Sequence, residues 1–379
     1  MADISRRDFL RMGMMSLPAL GTLSVLGEAL AAKTAAVGAI AENPSGAAEG
    51  EDIIIDGTAA QDYFRPHFSE WLQGGATCCA ITLAGTGDGR KAIGNIEDTY
   101  RFLNEHSDKL LLATSVDRIR EAKRSGKIAA VLHFQGTEPL EQDVGLAKVF
   151  SRLGVRVMQL AYNRRNPYAD GCEEFANAGL SRKGRELIPE LNRLGVVIDV
   201  SHTCERSSLE ACELSAAPVI ASHSNARAIW DSRRNISDDL IKAIARTGGT
   251  VGMNGYPAFV SDDHPSSLDQ FIDHFAHIAH LVGPRHVALG LDYWTRDIGR
   301  AYYDALIGSG LWSKETYPLP PPWQWPKGME DPSKFPKLAK RLAERGFSTK
   351  EVRGIMGGNL LRVFETVWKP EEVFVPVPA

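Results

Sequence analysis

A stretch near the middle of the chain carries two short apolar runs that each lead into a histidine. Gly195 to Val200 and Pro218 to Ala221 have the composition of buried parallel strands, and they end next to His202 and His223. Cys204 to Ser215, between them, has the length and the Leu, Ala and Glu content of one crossover helix. The two imidazoles are therefore expected at matching ends of neighbouring parallel strands, the edge at which α/β proteins bind ligands.

Apolar runs bounded by turn residues recur along the whole chain. Eight strands are predicted: Asp52 to Asp56, Cys78 to Leu83, Ile128 to Phe134, Val155 to Ala161, Val196 to Val200, Pro218 to Ala221, Thr250 to Asn254 and His286 to Leu291. Amphipathic stretches of helical period, of which Arg182 to Leu194 is the clearest, separate most of them. This alternation predicts an α/β fold of the (β/α)8 class, a TIM barrel, which Thr349 to Val367 closes as a single helix.

The two ends of the chain do not fit this alternation. Ser5 to Leu10 is a twin-arginine pattern, and an apolar stretch and a small-residue cleavage site follow it. Residues 1–32 are therefore predicted to be a signal peptide that the twin-arginine machinery exports to the periplasm, with an uncleaved membrane anchor as the alternative. Residues 33–50 are predicted to be a linker, residues 51–369 a single barrel domain, and residues 370–379 a C-terminal tail.

Composition and one irregular interval limit the classes of partner. The chain of 379 residues is 44% hydrophobic, enough for one large core, and its net charge of -4 gives no reason to expect nucleic acid as a partner.

An excursion at about residues 295–333 contains too many prolines for a continuous helix. Trp312, Trp323 and Trp325 in this excursion would contact a substrate, pack on the barrel rim, or join a second subunit in a homodimer, and the pattern leaves these open.

A barrel of this kind places polar side chains after its strands. These candidates are Thr58, Gln135, Tyr162, Asn163, His202, His223, Asn254 and Asp292. Neutral imidazoles are good ligands for zinc, and a carboxylate beside a metal can accept the proton of an attacking water. The two histidines as metal ligands and Asp292 as the base form a consistent hydrolytic set. His133, on the same strand face as Gln135, is either a replacement ligand or a core histidine.

Longer motifs connect the chain to a known family. LGVRVMQLAYNRRN, SHSNAR, SRRNISDDL, HVALGLDYW and GGNLLRVFE resemble the membrane (renal) dipeptidases, peptidase family M19 of the amidohydrolase superfamily. The resemblance implies a metallohydrolase that cleaves the amide bond of a dipeptide or a similar small amide with a free carboxylate, and the twin-arginine pattern predicts that it is exported. By the same resemblance, His202 and His223 match the histidines of the second metal, Asp292 the catalytic aspartate, and Arg234 the arginine that holds the substrate carboxylate.

The chain departs from the family pattern at the other metal positions. Thr58 and Ala60 stand where the family has the histidine and aspartate that bind the first metal. Gln135 replaces the bridging glutamate, and Tyr162 replaces a substrate-contacting histidine. We therefore expect at most one zinc ion, held by the two remaining histidines and Gln135, because a neutral amide oxygen binds a metal more weakly than a carboxylate does.

The remaining site residues are expected to bind substrate. Arg234 would hold a carboxylate through two parallel hydrogen bonds, and Tyr162, Asn163 and Asn254 would contact the rest of the molecule. Three functions stay open. The first is a dipeptidase-like hydrolase with one metal, the second is a metal-free or repurposed family member that tailors an exported metabolite, and the third is a non-catalytic binding protein for carboxylate-bearing peptides.

Overall fold

The computed structural model describes residues 52–294 and 299–369. The predicted signal peptide (1–32), linker (33–50) and tail (370–379) lie outside these residues, as do residues 295–298 at the start of the excursion. Across the two described ranges, no helix combines the length and the apolar character needed to cross a membrane.

Nine parallel strands form one sheet within the described residues. They are β1 Ile55–Ala60, β2 Cys78–Ala84, β3 Leu110–Leu112, β4 Ile128–Phe134, β5 Val155–Gln159, β6 Val197–Asp199, β7 Val219–Ile220, β8 Val251–Met253 and β9 Val287–Leu289. Eight follow one another in the order β7, β6, β5, β4, β2, β1, β9, β8, while β3 pairs with β4 beside this path. A parallel bridge between Ala221 and Val251 connects the two ends of the order. The predicted (β/α)8 barrel is thereby confirmed.

Helices connect the strands and cover the outside of the barrel. They are α1 Gln61–Gln73, α2 Gly89–Glu105, α3 Val116–Ser125, α4 Leu146–Arg152, α5 Arg182–Leu194, α6 Glu205–Leu214, α7 Asp238–Arg246, α8 Leu268–Val282, α9 Arg300–Gly308, α10 Phe335–Glu344, α11 Thr349–Arg353 and α12 Asn359–Val367. α5 has the predicted bounds because its sequence carries both end signals. The Ser181 hydroxyl accepts a hydrogen bond from the Gly184 N–H, and Gly195 ends the helix at a φ of 69°.

Most observed strands are shorter than predicted by a few residues, and the structure differs more strongly in two places. The first strand is β1 instead of Asp52 to Asp56, because its pairing with β2 extends to Ala60 and Thr82. Thr58 and Ala60 therefore lie within the strand and do not follow it. β3 is absent from the prediction because an apolar run of three residues is too short to stand out from its surroundings.

The predicted closing helix is also interrupted. Residues Gly354–Gly358 form a π-helical segment between α11 and α12. A Cβ atom at Gly357 would lie 2.2 Å from the carbonyl oxygen of Ile53, so only glycine allows this approach to the chain before β1. The helical period of the sequence cannot reveal this break, because the contact that requires it is made with a residue about 300 positions earlier.

A buried carboxyl group makes the stability of the fold depend on pH. Asp56 on β1 is fully buried, and its two oxygens accept hydrogen bonds from the Trp71 indole N–H and the Leu291 N–H, both at 3.0 Å. Burial raises the pKa of Asp56 to about 7, and these hydrogen bonds oppose the rise only in part. Asp56 therefore ionises in the folded protein about three pH units above the range in which it ionises in the unfolded chain.

We expect Asp56→Asn to remove a pH dependence of stability. Between pH 4 and 7 the unfolded chain has released this proton and the folded protein keeps it, so the free energy of unfolding falls as pH rises, by up to ~1.4 kcal/mol per unit. Urea unfolding at pH 5 and pH 7.5 measures this slope. Asp239→Asn on exposed α7 is the control and retains the wild-type slope, and an equal slope in Asp56→Asn would contradict the assignment.

Candidate active site

The candidate site lies at the carboxyl ends of the strands. His202 follows β6, His223 follows β7, and Asp292 follows β9. His202 and Asp292 have φ angles of 58° and 53°, and Asn163 after β5 has a φ of 58°, in the left-handed region that non-glycine residues rarely adopt. Backbone strain of this kind concentrates at functional sites, where the surrounding structure holds the residue in place.

The two predicted metal-binding histidines are brought together. Their Nε2 atoms are 2.8 Å apart, and both rings are almost completely buried. The Nδ1 atom of His202 is 2.7 Å from Asn163 Oδ1, and the Nδ1 atom of His223 is 2.6 Å from Ser222 Oγ. Each ring therefore has a protein partner on Nδ1 and directs Nε2 toward the other ring.

These partners determine which ring nitrogen carries the proton. Asn163 Oδ1 is a carbonyl oxygen and can only accept, so the Nδ1–H of His202 donates to it. The Ser222 hydroxyl donates to Asp199 Oδ2 at 2.5 Å, so it accepts from the Nδ1–H of His223. In the neutral rings both Nε2 lone pairs then point at each other. A shared proton would relieve this contact, and so would a metal ion, which at ~2.0 Å from each nitrogen would lie to one side of the line that joins them.

Both imidazoles are held in the neutral form. Burial lowers the pKa of His202 and of His223 well below the usual range, and the positive charge of Arg234 lowers both further. Neutral imidazole is the form that binds a metal. The pair therefore binds protons only weakly and leaves its Nε2 atoms available to a metal ion.

Asp199 anchors the pair from inside the barrel. Its carboxylate accepts hydrogen bonds from the N–H groups of Ser201 and Ser222, from the Ser222 hydroxyl and from His133 Nε2. Burial alone would raise its pKa, but the hydrogen bonds and the nearby imidazoles outweigh burial and hold the pKa well below its usual range. His133 also lies 3.4 Å from Thr58 Oγ1, so it is a core histidine and not a replacement ligand.

The predicted catalytic aspartate lies in the same interior. Asp292 Oδ2 accepts a hydrogen bond from Asn254 Nδ2 at 3.3 Å, which brings two of the predicted site residues into contact. Burial raises the pKa of Asp292, although Arg234 and the Asn254 amide pull it down. A carboxyl group with a raised pKa exchanges protons closer to neutral pH, as a general base or acid must.

Arg234 is a buried cation with few polar contacts. Its side chain is 2% exposed, its Nη2 donates to the His223 carbonyl oxygen at 3.1 Å, and its guanidinium carbon lies 5.3 Å from the Phe259 ring centroid. Its Nε has no hydrogen-bond partner, and among the described residues the Asp292 carboxyl group interacts with its charge without forming a salt bridge. An arginine buried in this way is ready to bind an anion that enters the site.

The remaining predicted ligand positions are used inside the barrel. The Gln135 side-chain amide donates to Thr58 Oγ1 at 3.2 Å, and Gln135 lines the same cavity as His202 and Asp292. Thr58 is fully buried, and Ala60 lines the mouth of the barrel. Within residues 52–294 and 299–369, no group of three or more His, Cys, Asp or Glu side chains is arranged to hold a metal ion.

Asn163 serves a different purpose from the one expected. Its Oδ1 accepts from His202, and its Nδ2 donates to the Leu311 carbonyl oxygen and to the Tyr317 hydroxyl. Because the amide is buried and both of its ends are occupied by protein groups, it positions the His202 ring instead of contacting a substrate. Tyr162 beside it stacks on His202 with ring centroids 4.2 Å apart.

Two connected cavities lead to these residues. The inner one has room for about one water molecule, ~10 Å³, and its lining includes Gln135, Tyr162, His202 and Asp292 together with aromatic rings. The outer one, about 200 Å³, shares Gln135, Tyr162 and Asp292 with it and opens at the barrel mouth. Arg234 lines neither of them and lies on a third cavity, which shares only His202 with the inner one.

The excursion forms one wall of the mouth. Trp312 lines both connected cavities, and its indole N–H donates to the Tyr162 hydroxyl at 3.1 Å. Trp323 and Trp325 are buried against Tyr256, so they pack on the barrel rim and do not face a second subunit. Of the three uses predicted for these tryptophans, contact with the site applies to Trp312 and rim packing to the other two.

Sequence reasoning overlooked Asp199 and Ser222. A signal for Asp199 is present, because a charged residue inside an apolar strand must be paired or functional. Ser222 precedes a predicted ligand and looks like any small residue at a strand end. Its importance depends on the distance from its hydroxyl to Asp199, and the spacing along the chain does not predict that distance.

Comparison with known proteins identifies the family. The family model described as membrane dipeptidase, peptidase family M19, matches residues 77–301 and 323–373. An uncharacterized dipeptidase of Schizosaccharomyces pombe is 36% identical over 244 residues, which are 63% of this chain and 53% of that protein. The dipeptidase tcpJ of Claviceps purpurea is 30% identical over 281 residues, 73% of this chain and 60% of that protein.

A solved structure extends the likeness to the fold. The amidohydrolase from Pseudomonas aeruginosa is 30% identical with a TM-score of 0.76, and the match covers 83% of this chain and 96% of that one. The chain spans between about half and two thirds of the length of the curated relatives. The family model nevertheless covers most of the barrel, including the loops that carry His202, His223, Arg234 and Asp292. The chain therefore belongs to the membrane dipeptidase family, peptidase family M19.

Proposed function

We propose that the protein is a dipeptidase-type hydrolase that uses a single metal ion and cleaves small amides with a free carboxylate. The observation that carries this proposal is the pair of buried imidazoles of His202 and His223, whose Nε2 atoms are 2.8 Å apart and can both reach one metal ion. Arg234, buried and without an acidic partner, supports a substrate that brings its own carboxylate. Asp292, with its raised pKa, supports proton transfer during hydrolysis.

The donor set fits one ion and not two. His202 and His223 would hold the ion, and Gln135, which lines the same cavity as His202, has an amide oxygen to offer. Thr58 and Ala60 supply no ligand for a second ion, and two imidazoles with an amide make a weak site. When bound, zinc supplies Lewis-acid polarisation of the substrate carbonyl.

The side chains of the protein would perform the other tasks. Arg234 binds the carboxylate of the substrate in two parallel hydrogen bonds and so orients the amide bond. Asp292 accepts the proton of the attacking water and returns it to the departing amine. Tyr162 stacks on His202 and is held by the Trp312 indole N–H, and the two rings would keep bulk water away from the reacting atoms, which strengthens these charged interactions.

Metal content and turnover test the proposal together. The protein equilibrated with zinc is expected to bind about one ion per chain by equilibrium dialysis with elemental analysis, and to hydrolyse members of a dipeptide panel in the same buffer. N-terminally free dipeptides and their C-terminal amides form a matched pair, because only the former present a carboxylate to Arg234. Hydrolysis of both forms at equal rates, or no turnover by zinc-loaded protein, would contradict the proposal.

A second candidate is favoured by the absence, within the described ranges, of a three-residue metal group of the usual kinds. Tyr162, His202 and Asp292 line one cavity and could act as acid and base groups without a metal, in a reaction that tailors a small exported metabolite. Less than 0.1 zinc per chain in protein that retains its fold, with no dipeptide turnover, would favour this reading over the first.

Ser222 offers a test of the His223 tautomer. Ser222→Ala removes the acceptor that keeps the proton on Nδ1, so zinc affinity is expected to fall by about 10- to 100-fold. Ser222→Thr keeps a hydroxyl and should restore most of the affinity. Ser224→Ala is the matched control, because the buried Ser224 hydroxyl has no hydrogen-bond partner. An equal effect of Ser222→Ala and Ser224→Ala would argue against the relay from Asp199.

Export is a separate part of the proposal. The twin-arginine pattern at Arg6 and Arg7 supports transport of the folded protein by the twin-arginine machinery to the periplasm. Replacing both arginines with lysine is expected to leave the protein in the cytoplasmic fraction. Unchanged recovery in the periplasmic fraction would contradict this route.

A further inference from the structure

A groove of about 400 Å³ shares His202 with the inner cavity that Asp292 lines. This volume is within the range of ~300–1,000 Å³ that is typical of pockets for small molecules. His202 and the buried Arg234 both line it, so a carboxylate bound by Arg234 has open space beside it. A substrate held in this way would direct the side chain of its C-terminal residue into the groove.

Two of the three arginines that line the groove are paired with acids, and the third is not. Arg227 lies 3.7 Å from Glu205, and Arg233 lies 3.0 Å from Glu315, so these two arginines are already paired with acids. Arg234 is almost fully buried, unlike the other two arginines, and its Nε has no hydrogen-bond partner. A substrate carboxylate would neutralise this last cation and leave the groove with an excess of negative charge.

Two acids carry that excess. Glu174 and Asp231 line the groove and enter no ion pair among the described residues. Glu174 accepts one hydrogen bond, from the backbone N–H of Arg165 at 2.9 Å. Carboxylates that line the same groove as Arg234 and form no ion pair attract a positively charged group on a ligand that Arg234 holds.

The rim of the groove adds apolar surface. Phe175 is 81% exposed, and the Arg233 guanidinium lies 4.5 Å from its ring centroid. An exposed aromatic ring at the edge of a polar groove can pack against the methylene stem of a long side chain. The groove therefore offers a cation for a carboxylate, an apolar edge for a stem and acids for a positive end.

We propose that this groove is a specificity site for the C-terminal residue of the substrate and selects a long, positively charged side chain such as that of arginine or lysine. The proposal rests on the proposed function, because Arg234 must hold the C-terminal carboxylate. Glu174 and Asp231 bind the positive end of the side chain, and the Phe175 ring contacts its stem. Peptides with acidic C-terminal residues are disfavoured by the same two carboxylates.

Binding of free amino acids tests the groove without catalysis. Arginine and citrulline have nearly the same shape and both carry a carboxylate, but only arginine has a charged side chain. Calorimetric titration of the full-length protein should give about tenfold tighter binding of arginine at low salt, and a smaller difference at high salt. Equal affinities, tighter binding of citrulline, or no binding of either amino acid would overturn the proposal.

Variants identify the groups responsible. In Glu174→Gln with Asp231→Asn, the ratio of the two affinities is expected to fall from about ten to about one. Asp239→Asn removes one acidic charge outside the groove and should keep the ratio near ten. An unchanged ratio in the double variant would also overturn the proposal.

Turnover separates this proposal from the proposed function. Hydrolysis of alanyl-arginine about tenfold faster than alanyl-citrulline, compared as kcat/KM, is the expected result. If neither peptide is hydrolysed but arginine still binds more tightly, the hydrolase proposal fails and the groove proposal stands. If both are hydrolysed at equal rates, the groove proposal fails and the hydrolase proposal stands.

Discussion

Asp292→Asn is expected to lower kcat for dipeptide hydrolysis by about 1,000-fold. Asparagine has the same shape as aspartate and can still accept the hydrogen bond from the Asn254 amide, but it cannot take up a proton. Since burial raises the pKa of Asp292, its ionised form is costly in the folded protein, and the variant should be at least as stable as the wild type. Steady-state kinetics of the zinc-loaded protein and thermal unfolding measure the two effects.

The pH dependence of the same reaction provides a second readout. The base must be ionised, so kcat/KM of the wild type should fall as pH decreases through the pKa of Asp292. Because that pKa is raised, the fall should lie above the ordinary aspartate value of about 3.9. Asp262→Asn on the exposed surface is the control and keeps wild-type kinetics. Near-normal kcat in Asp292→Asn would show that another group carries the proton.

Arg234→Met is expected to separate stability from function. Loss of the carboxylate partner should lower kcat/KM by at least about 100-fold, mainly through a higher KM. The free energy of unfolding should rise by about 1–2 kcal/mol, because a buried cation without an acidic partner is replaced by an apolar side chain of similar length. Kinetics on a dipeptide and urea unfolding give the two values.

The opposite signs distinguish binding from structure. A purely structural arginine would lose stability on substitution, and its effect on KM would be small. Arg182→Met, at an exposed position on α5, is the control and should change stability by less than about 0.5 kcal/mol. A drop in stability together with unchanged KM would remove Arg234 from the binding site.

The alternation of strands and helices is the part of the fold that local sequence determines. α5 begins at a serine cap and ends at a glycine with positive φ, and both signals lie within the helix and its flanks. The strands around the barrel are apolar runs because helices cover one face and the barrel interior the other. Contacts with distant segments explain the exceptions, which are the shifted β1 and the break at Gly354–Gly358.

The candidate site divides in a similar way. His202, His223 and Asp292 can be predicted because each follows a strand, and parallel strands deliver their carboxyl ends to one edge of the barrel. The role of Asn163 cannot be predicted in this way. Its amide is consumed by His202, Leu311 and Tyr317, and two of these partners come from an excursion whose course no local pattern defines.

The sequence by itself determined the class of the fold, the strand ends that carry the histidines, and the absence of the family's metal-binding side chains at Thr58, Ala60 and Gln135. Only the tertiary structure decided that the two Nε2 atoms meet at 2.8 Å with their lone pairs facing, and that Arg234 is buried without an acid. The physical reason is the distance along the chain over which each interaction acts. Strand and helix patterns arise from neighbours along the chain, whereas tautomers and unpaired charges depend on atoms that folding brings together from different strands.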